Sequence, residues 1–440
     1  MLRPYGRLPP TLTEPDSAAL RHVDRPGAAH RRILALAWGA WASGFCSLTL
    51  LSFLLPAIQK DLAVPDASLP ALTGIGVGMS GVGGFLFGWI SDRWGRRVSL
   101  ALAIGAFSLG NVVCALAGTG GLLFFGRALA GLGVGGTWGG GQAMIGETVP
   151  AALRGRFGAI AQSGAPVGLG LAAILGSFLS PAIGWRPTFW ILALPGVALL
   201  FFRHLPESDL WLAHRAKLAA GAAGIEAAEM ARARRPVLAQ LVAVDQLWTF
   251  TRAFLLTAFN MSAYWFAVIW LPRYLAQERG LSVFGTGRWT LTFVAGSLLG
   301  YLSFGWVSDR IGRRPAFALY CTVMALGLAL VTLFWSSFAA RPGIGLACLF
   351  VAGLGTGTWS CFGPYFSELF PTRIRGAAMS VIMNSTRGIQ YLAPLAIAAV
   401  ATLFPSAGMG GGIALAAGFA LLAGAWVWTL PETAGAAIEN

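Results

Sequence analysis

The chain has 440 residues, 56% of them hydrophobic and only 11% charged, with a net charge of +14. Soluble domains carry about a quarter charged residues, so most of this chain cannot present a water-facing surface. In chain order, residues 1–32 are Pro- and Arg-rich and lack the apolar centre of a signal segment, which predicts a disordered cytoplasmic tail. Six apolar segments follow near 33–55, 71–91, 98–118, 121–146, 157–180 and 186–203, on the scale needed to cross a hydrocarbon core of about 30 Å. A charged, Ala-rich stretch over 207–249 reads as a cytoplasmic linker with surface helices. Six more apolar segments lie near 250–272, 286–308, 315–335, 343–367, 376–403 and 408–430, and 431–440 is a second cytoplasmic tail. The expected fold is an all-α membrane protein of twelve transmembrane helices, bundled six and six over 33–206 and 250–430.

The basic balance follows from topology and does not call for nucleic acid. With the N-terminus inside and the spans alternating, the inner loops hold Arg93, Arg96, Arg97, Arg154, Arg156, Arg310, Arg313, Arg314, Arg373 and Arg375, among others. The outer loops hold only Lys60, Arg186, Arg273, Arg279 and Arg341, with Arg288 at a helix edge. Such a bias places both termini in the cytoplasm. Only Lys60 and Lys217 are lysines, a usage that points to a GC-rich bacterial genome and hence to the cytoplasmic (inner) membrane. The five cysteines all fall inside spans and read as small packing residues without a disulfide framework.

An internal duplication organises the chain. Gly88-Trp-Ile-Ser-Asp-Arg-Trp-Gly-Arg-Arg97 recurs as Gly305-Trp-Val-Ser-Asp-Arg-Ile-Gly-Arg-Arg314. Glu147-x-x-Pro150-x-x-x-Arg154-Gly155 recurs as Glu368-x-x-Pro371-x-x-x-Arg375-Gly376, and Leu205-Pro-Glu-Ser208 as Leu430-Pro-Glu-Thr433. Each signature falls at the same end of its half, so the halves run parallel and are related by a pseudo-two-fold axis along the membrane normal. The Asp-Arg-x-Gly-Arg-Arg loops resemble the hallmark loop of the major facilitator superfamily. The Glu-x-x-Pro-x-x-x-Arg-Gly and Pro-Glu-Ser/Thr elements resemble sugar porters. The run Phe362 to Gly376, followed by Asn384-x-x-Arg387-Gly388, is similar to the sialate and metabolite:proton symporter branch.

The resemblance implies a secondary transporter working by rocker-switch alternating access, with cytoplasmic ion pairs that hold the inner side shut and break when it opens. Asp92 and Arg97 are expected to act with Glu147 and Arg154, and Asp309 and Arg313 with Glu368 and Arg375. Gly95 and Gly312 are expected at tight turns that a side chain would obstruct. A simpler account makes these loops topology signals only.

Polar residues deep in a span are costly and are functional candidates. Arg387 is predicted near the midplane of the eleventh span, with Asn384, Gln390 and Tyr391 on the same helical face. Asn260 and Tyr264 of the seventh span, Arg127 and Gln142 of the fourth and Gln162 of the fifth complete the candidate substrate-binding set. A guanidinium at low dielectric needs an anionic partner, and none of the 17 acidic residues is predicted at that depth. The partner is therefore expected to arrive with the substrate, as the carboxylate of an organic anion. The alternative is that these arginines bond to helix carbonyls and hold the bundles together. Trp38, Trp41, Trp138, Tyr264, Trp265 and Trp359 are candidates to line the cavity, although packing or interfacial anchoring accounts for any single one.

The chain departs from its symporter relatives in having no carboxylate in span one and Thr137 where they commonly carry Glu. Proton coupling is thus one option beside efflux, exchange, or facilitated movement of a neutral or amphipathic solute. No His/Cys/carboxylate cluster faces a common site and no nucleotide loop follows a strand, so no metal, cofactor or catalytic residue is expected. The expected partners are a small-molecule solute, protons as a candidate co-substrate, and the lipid bilayer, for a monomeric protein.

Overall fold

The structure is a computed structural model, and it describes residues 27–149, 157–158, 160–197, 207–208, 211–212, 239, 242, 245–335, 341–406 and 408–434. Most of the expected tails and linker, and Arg154, lie outside the described residues. The described residues are helical and contain no strand. Apolar solvent cannot satisfy backbone groups, so a chain this hydrophobic must close its hydrogen bonds within each segment.

Twelve rods run in chain order. The first half has α1 (Ala28–Leu62), α2 (Leu69–Trp94), α3 (Arg96–Ala115), α4 (Gly120–Thr148), α5 (Gly164–Ile174, continuing to Ile183) and α6 (Trp185–Ala193, the described part). The second half has α7 (Leu247–Gln277), α8 (Val283–Ile311), α9 (Arg313–Leu333), α10 (Pro342–Gly355), α11 (Thr372–Ile389) and α12 (Gly408–Trp426). Nine of the described rods are long and apolar enough to cross a membrane by themselves. Of the other three, α4 carries Arg127 and a run of glycines, α6 runs on into undescribed residues, and α11 carries polar residues and breaks at Gln390.

Packing repeats with a shift of six rods. The pairs α2–α4, α3–α4, α3–α6 and α1–α5 of the first half recur as α8–α10, α9–α10, α9–α12 and α7–α11 of the second. The halves meet along α2–α11 and α8–α5, which the same operation interchanges, and along α1–α7. These contacts run from the middle of the rods to the end opposite the Asp-Arg loops. A Cβ on Gly81 would stand 2.6 Å from Cα of Gly388, so only glycines allow α2 and α11 to approach this closely. Phe178 of the fifth rod meets Phe284 with ring centroids 4.4 Å apart, and Arg273 Nη2 lies 3.7 Å from Asp66 Oδ1.

Two breaks in the second half matter for the site. The α10 rod passes through a 3-10 turn at Thr356–Ser360 before continuing as Phe362–Leu369. The eleventh rod breaks after Ile389 and resumes as Leu392–Leu403, with Gln390 N donating to Arg387 O across the break at 3.0 Å. Trp359 and Arg387 therefore stand beside interruptions halfway along their rods, where transporters with discontinuous helices place their ligands.

Candidate substrate-binding site and charge clusters

Arg387 is 1% exposed, at the middle of the Thr372–Leu403 rod. Its guanidinium crosses to the first half, with Cζ 5.5 Å from the ring centroid of Trp41 and 5.1 Å from that of Trp138. Indole faces attract a cation through their quadrupole, but they leave the in-plane N–H edge unengaged. Accordingly, Nη1 and Nη2 of Arg387 have no hydrogen-bond partner among the described residues.

Around this cation runs a ribbon of aromatic rings. Trp41 lies 6.2 Å from Trp138 and 5.6 Å from Phe45; Phe45 stacks on Trp265 at 5.4 Å and meets Tyr264 at 6.0 Å; Tyr264 meets Trp359 at 5.3 Å. The ribbon spans α4, α1, α7 and the turn after α10, and so bridges both halves. Nε1 of Trp41 and Nε1 of Trp265 are also buried without partners. The unsatisfied groups are thus four N–H-bearing nitrogens against two amide oxygens, Asn384 Oδ1 and Gln390 Oε1. An excess of donors suits a ligand that brings acceptors.

The predicted polar stripe of the eleventh rod does face the other half. Asn384 packs its amide on Gly84 of α2 and donates from Nδ2 to Ser380 Oγ at 3.2 Å. Tyr391 lies on Gly74 and Gly78 of α2, and Gln390 donates to Thr386 O at 3.0 Å. Gln162 accepts from Trp138 Nε1 at 3.0 Å and lies near the Tyr301 hydroxyl of α8 across the interface. Gln142 lies beside Gly158 in the first half. Tyr301 was not singled out from the sequence, since a lone Tyr in an apolar span carries no motif.

Two expected substrate contacts are engaged elsewhere. Arg127 is fully buried, but Nη1 donates to Ser47 O at 2.8 Å and Ser47 Oγ at 3.2 Å, and Nη2 to Leu48 O at 3.4 Å. Those acceptors tie α4 to α1 within one half, so the helix-carbonyl alternative describes Arg127. Asn260 donates from Nδ2 to Thr358 Oγ1 at 3.0 Å and lies 3.9 Å from Cys321 Sγ, inside the second half. It braces the turn that presents Trp359. Trp38 is held by Ser163, with Nε1 to Oγ at 3.2 Å.

At the end carrying the Asp-Arg loops, each half holds one charge cluster. In the first, Arg96 Nη1 donates to Asp92 Oδ1 at 2.8 Å, and Nη2 and Nε donate to Glu147 Oε1 at 2.7 and 3.0 Å. The cation that bridges Asp92 and Glu147 is Arg96, the neighbour of the expected Arg97. In the second half Arg313 occupies the equivalent place, as expected, reaching Asp309 Oδ1 at 2.8 Å and Glu368 Oε1 at 3.2 Å. The repeat pairs Arg96 with Arg313, not Arg97 with Arg313, so the correct register was present in the sequence. Nothing is described for Arg154 or for the side chain of Arg375.

The Pro-Glu-Ser/Thr elements complete both clusters, a role the motif alone did not reveal. Glu207 accepts from the backbone N–H of Arg96 at 3.0 Å and of Arg97 at 3.2 Å. Glu432 accepts from the backbone of Arg313 at 2.8 Å, Arg314 at 3.0 Å, Thr433 at 3.1 Å and Ala434 at 3.0 Å. A carboxylate thus caps the N-terminus of α3 and of α9, where four backbone donors are left over by the helix geometry. Burial works to raise the carboxyl pKa of Glu432, and the backbone donors more than offset it, so the group lies below its ordinary value. Gly95 and Gly312 sit at φ +104° and +98°, which the carboxylates require: a Cβ at Gly312 would meet Glu432 Oε2 at 2.9 Å.

The Major Facilitator Superfamily family model matches residues 36–389 and 253–439. A Haemophilus influenzae protein named for metabolite transport is 31% identical over 377 residues, covering 84% of this chain and 88% of its own length. A Cupriavidus pinatubonensis transporter named for 4-methylmuconolactone is 29% identical, covering 92% and 91%. The xylose transporter of E. coli, in a partially occluded inward-open conformation, matches the fold with a TM-score of 0.70 at 20% identity, over 93% of this chain and 100% of that one. Repeat, packing symmetry and family model agree that this chain belongs to the major facilitator superfamily and is a multi-pass membrane transporter, not an enzyme.

Proposed function

We propose that the chain carries a planar organic carboxylate across the bacterial cytoplasmic membrane by alternating access. The observation behind this reading is Arg387: a cation buried at the junction of the two halves, stacked on Trp41 and Trp138, with both terminal nitrogens unpartnered. A carboxylate matches the in-plane fork of a guanidinium with two parallel hydrogen bonds. The flanking rings suit a flat, conjugated body, since offset or edge-on aromatic contacts add to area burial. The Cupriavidus relative is named for the transport of 4-methylmuconolactone.

Alternating access follows from where the halves touch. They are held along α2–α11, α5–α8 and α1–α7 from the rod centres to the end away from the charge clusters, while each cluster is confined to its own half. With the basic end cytoplasmic, as the positive-inside bias implies, this conformation is closed to the outside. In the opposite state the clusters would meet and the far contacts would part.

The test is binding followed by intrinsic tryptophan fluorescence, with nicotinate, 4-hydroxybenzoate and sialate as probes. The planar acids should bind, and Arg387→Ala should weaken them by about 2–4 kcal/mol, roughly thirty- to a thousandfold in Kd. If Arg387→Ala binds the acids normally, the carboxylate reading is wrong. A preference for the neutral amide nicotinamide over nicotinate would instead support the second reading, a facilitator for an amphipathic solute, which the aromatic ribbon alone also fits.

A further inference from the structure

The charge inventory of the membrane interior goes further than a binding site. Among the described residues, acidic groups lie at the basic end, Asp92, Glu147, Asp309 and Glu368 among them, or at the far end, as Asp61 and Asp66 do. The one described histidine, His30, is in the first turn of α1. The rods packed against the eleventh, α2, α7 and α12, and α1 and α4, whose indoles meet Arg387, carry any charged groups towards their ends, apart from Arg127, which is committed to the carbonyls of Ser47 and Leu48. No carboxylate or imidazole among the described residues therefore faces Arg387. Among the described residues nothing balances its charge, which leaves that part to a solute entering the site.

From this arrangement, and resting on the carboxylate reading above, we propose that the transporter is an obligatory anion exchanger. Moving the site from one side of the membrane to the other requires the halves to close around it. With a monocarboxylate bound, the closed site is neutral and the fork of Arg387 is satisfied. Without one, closure must strip water from a guanidinium whose in-plane donors then have no acceptor, since Trp41 and Trp138 offer only their π faces. Loaded carriers cross in both directions; unloaded carriers cross rarely. One anion leaves for each that enters, no proton is carried by a side chain, and no net charge moves.

The experiment uses the purified full chain in liposomes, with labelled nicotinate and labelled 4-hydroxybenzoate outside. Vesicles hold either the same unlabelled acid or potassium sulfate, at equal pH, with valinomycin fixing the potential. Exchange predicts that preloading speeds influx at least tenfold. An imposed potential of either sign, or an inward proton gradient, should change that influx less than twofold. Equal influx into preloaded and sulfate-filled vesicles would overturn the proposal, as would accumulation in sulfate-filled vesicles driven by the proton gradient. The fluorescence titration separates the two claims: acids that bind but accumulate with protons sink exchange alone, whereas acids that neither bind nor move sink the carboxylate site and exchange together.

Discussion

Arg127 and Arg387 are the same residue type, both buried within spans, and they are engaged in opposite ways. Arg127 directs its terminal nitrogens to acceptors on α1, while Arg387 meets two π faces and keeps its terminal nitrogens unbonded. Charge-assisted hydrogen bonds contribute about 1.5–3 kcal/mol each way of counting, so Arg127→Met should lower stability by about 1–3 kcal/mol and leave the nicotinate Kd within threefold. Arg387→Met should do the reverse, raising Kd at least thirtyfold with a small change in melting temperature. Melting in detergent and fluorescence titration on both variants would decide it; a swap of the two patterns would reverse the roles assigned to the two arginines. Nothing in the order of residues tells the two arginines apart. Depth in a span is countable from residue numbers, but whether a guanidinium meets a carbonyl or a ring depends on how neighbouring rods are rotated. Asn260 illustrates the same limit: its depth was legible, its commitment to Thr358 was not.

At the scale of elements, the repeat was the strongest signal, because symmetric packing of rods requires symmetric sequence. It located the turns at Gly95 and Gly312 and both carboxylate-arginine clusters, and its register singles out Arg96 as the partner of Arg313. It did not expose the capping role of Glu207 and Glu432, since each lies more than a hundred residues along the chain from the helix start it serves. The irregular turns at Thr356–Ser360 and after Ile389 do carry a sequence signal, because Pro364 and Pro394 each lie four residues beyond the carbonyl, of Ser360 and of Gln390, that a proline cannot bond. The capping carboxylate makes a pH-dependent prediction. Because the carboxyl of Glu432 is held below its ordinary value by backbone donors, its contribution is present above the unfolded pKa of about 4.3 and is lost as pH falls through the lower folded value. Glu432→Gln should therefore lower the melting temperature at pH 7, on the scale of a helix cap, about 0.5–2 kcal/mol. The gap from the unaltered protein should close as the pH is taken from 5 to 3. A gap that stays constant over that range would show that the carboxylate charge is not what holds the start of α9.

At the scale of the whole molecule, the pseudo-two-fold axis turns one contact into two. Towards the far end the α2–α11 seam closes on Gly74, where a Cβ would stand 2.8 Å from Tyr391 O, and its mate α8–α5 closes on Gly287, where a Cβ would stand 2.5 Å from Cβ of Ser177. Both contacts lie towards the far end and neither belongs to the charge clusters, so a wedge in either should prevent the far end from closing while leaving each half intact. Gly74→Trp and Gly287→Trp are each expected to abolish exchange, with less than a tenth of the flux remaining. Nicotinate binding in detergent should stay within about threefold, because Arg387 and its indoles remain accessible from the open far side. The two variants should behave alike despite lying in different halves and having unrelated neighbours, because the axis interchanges the two seams, although the two positions are not themselves paired by the repeat. Loss of binding together with flux in one variant only would mean that the seams are independent packing contacts, and that the halves do not rock as units about Arg387.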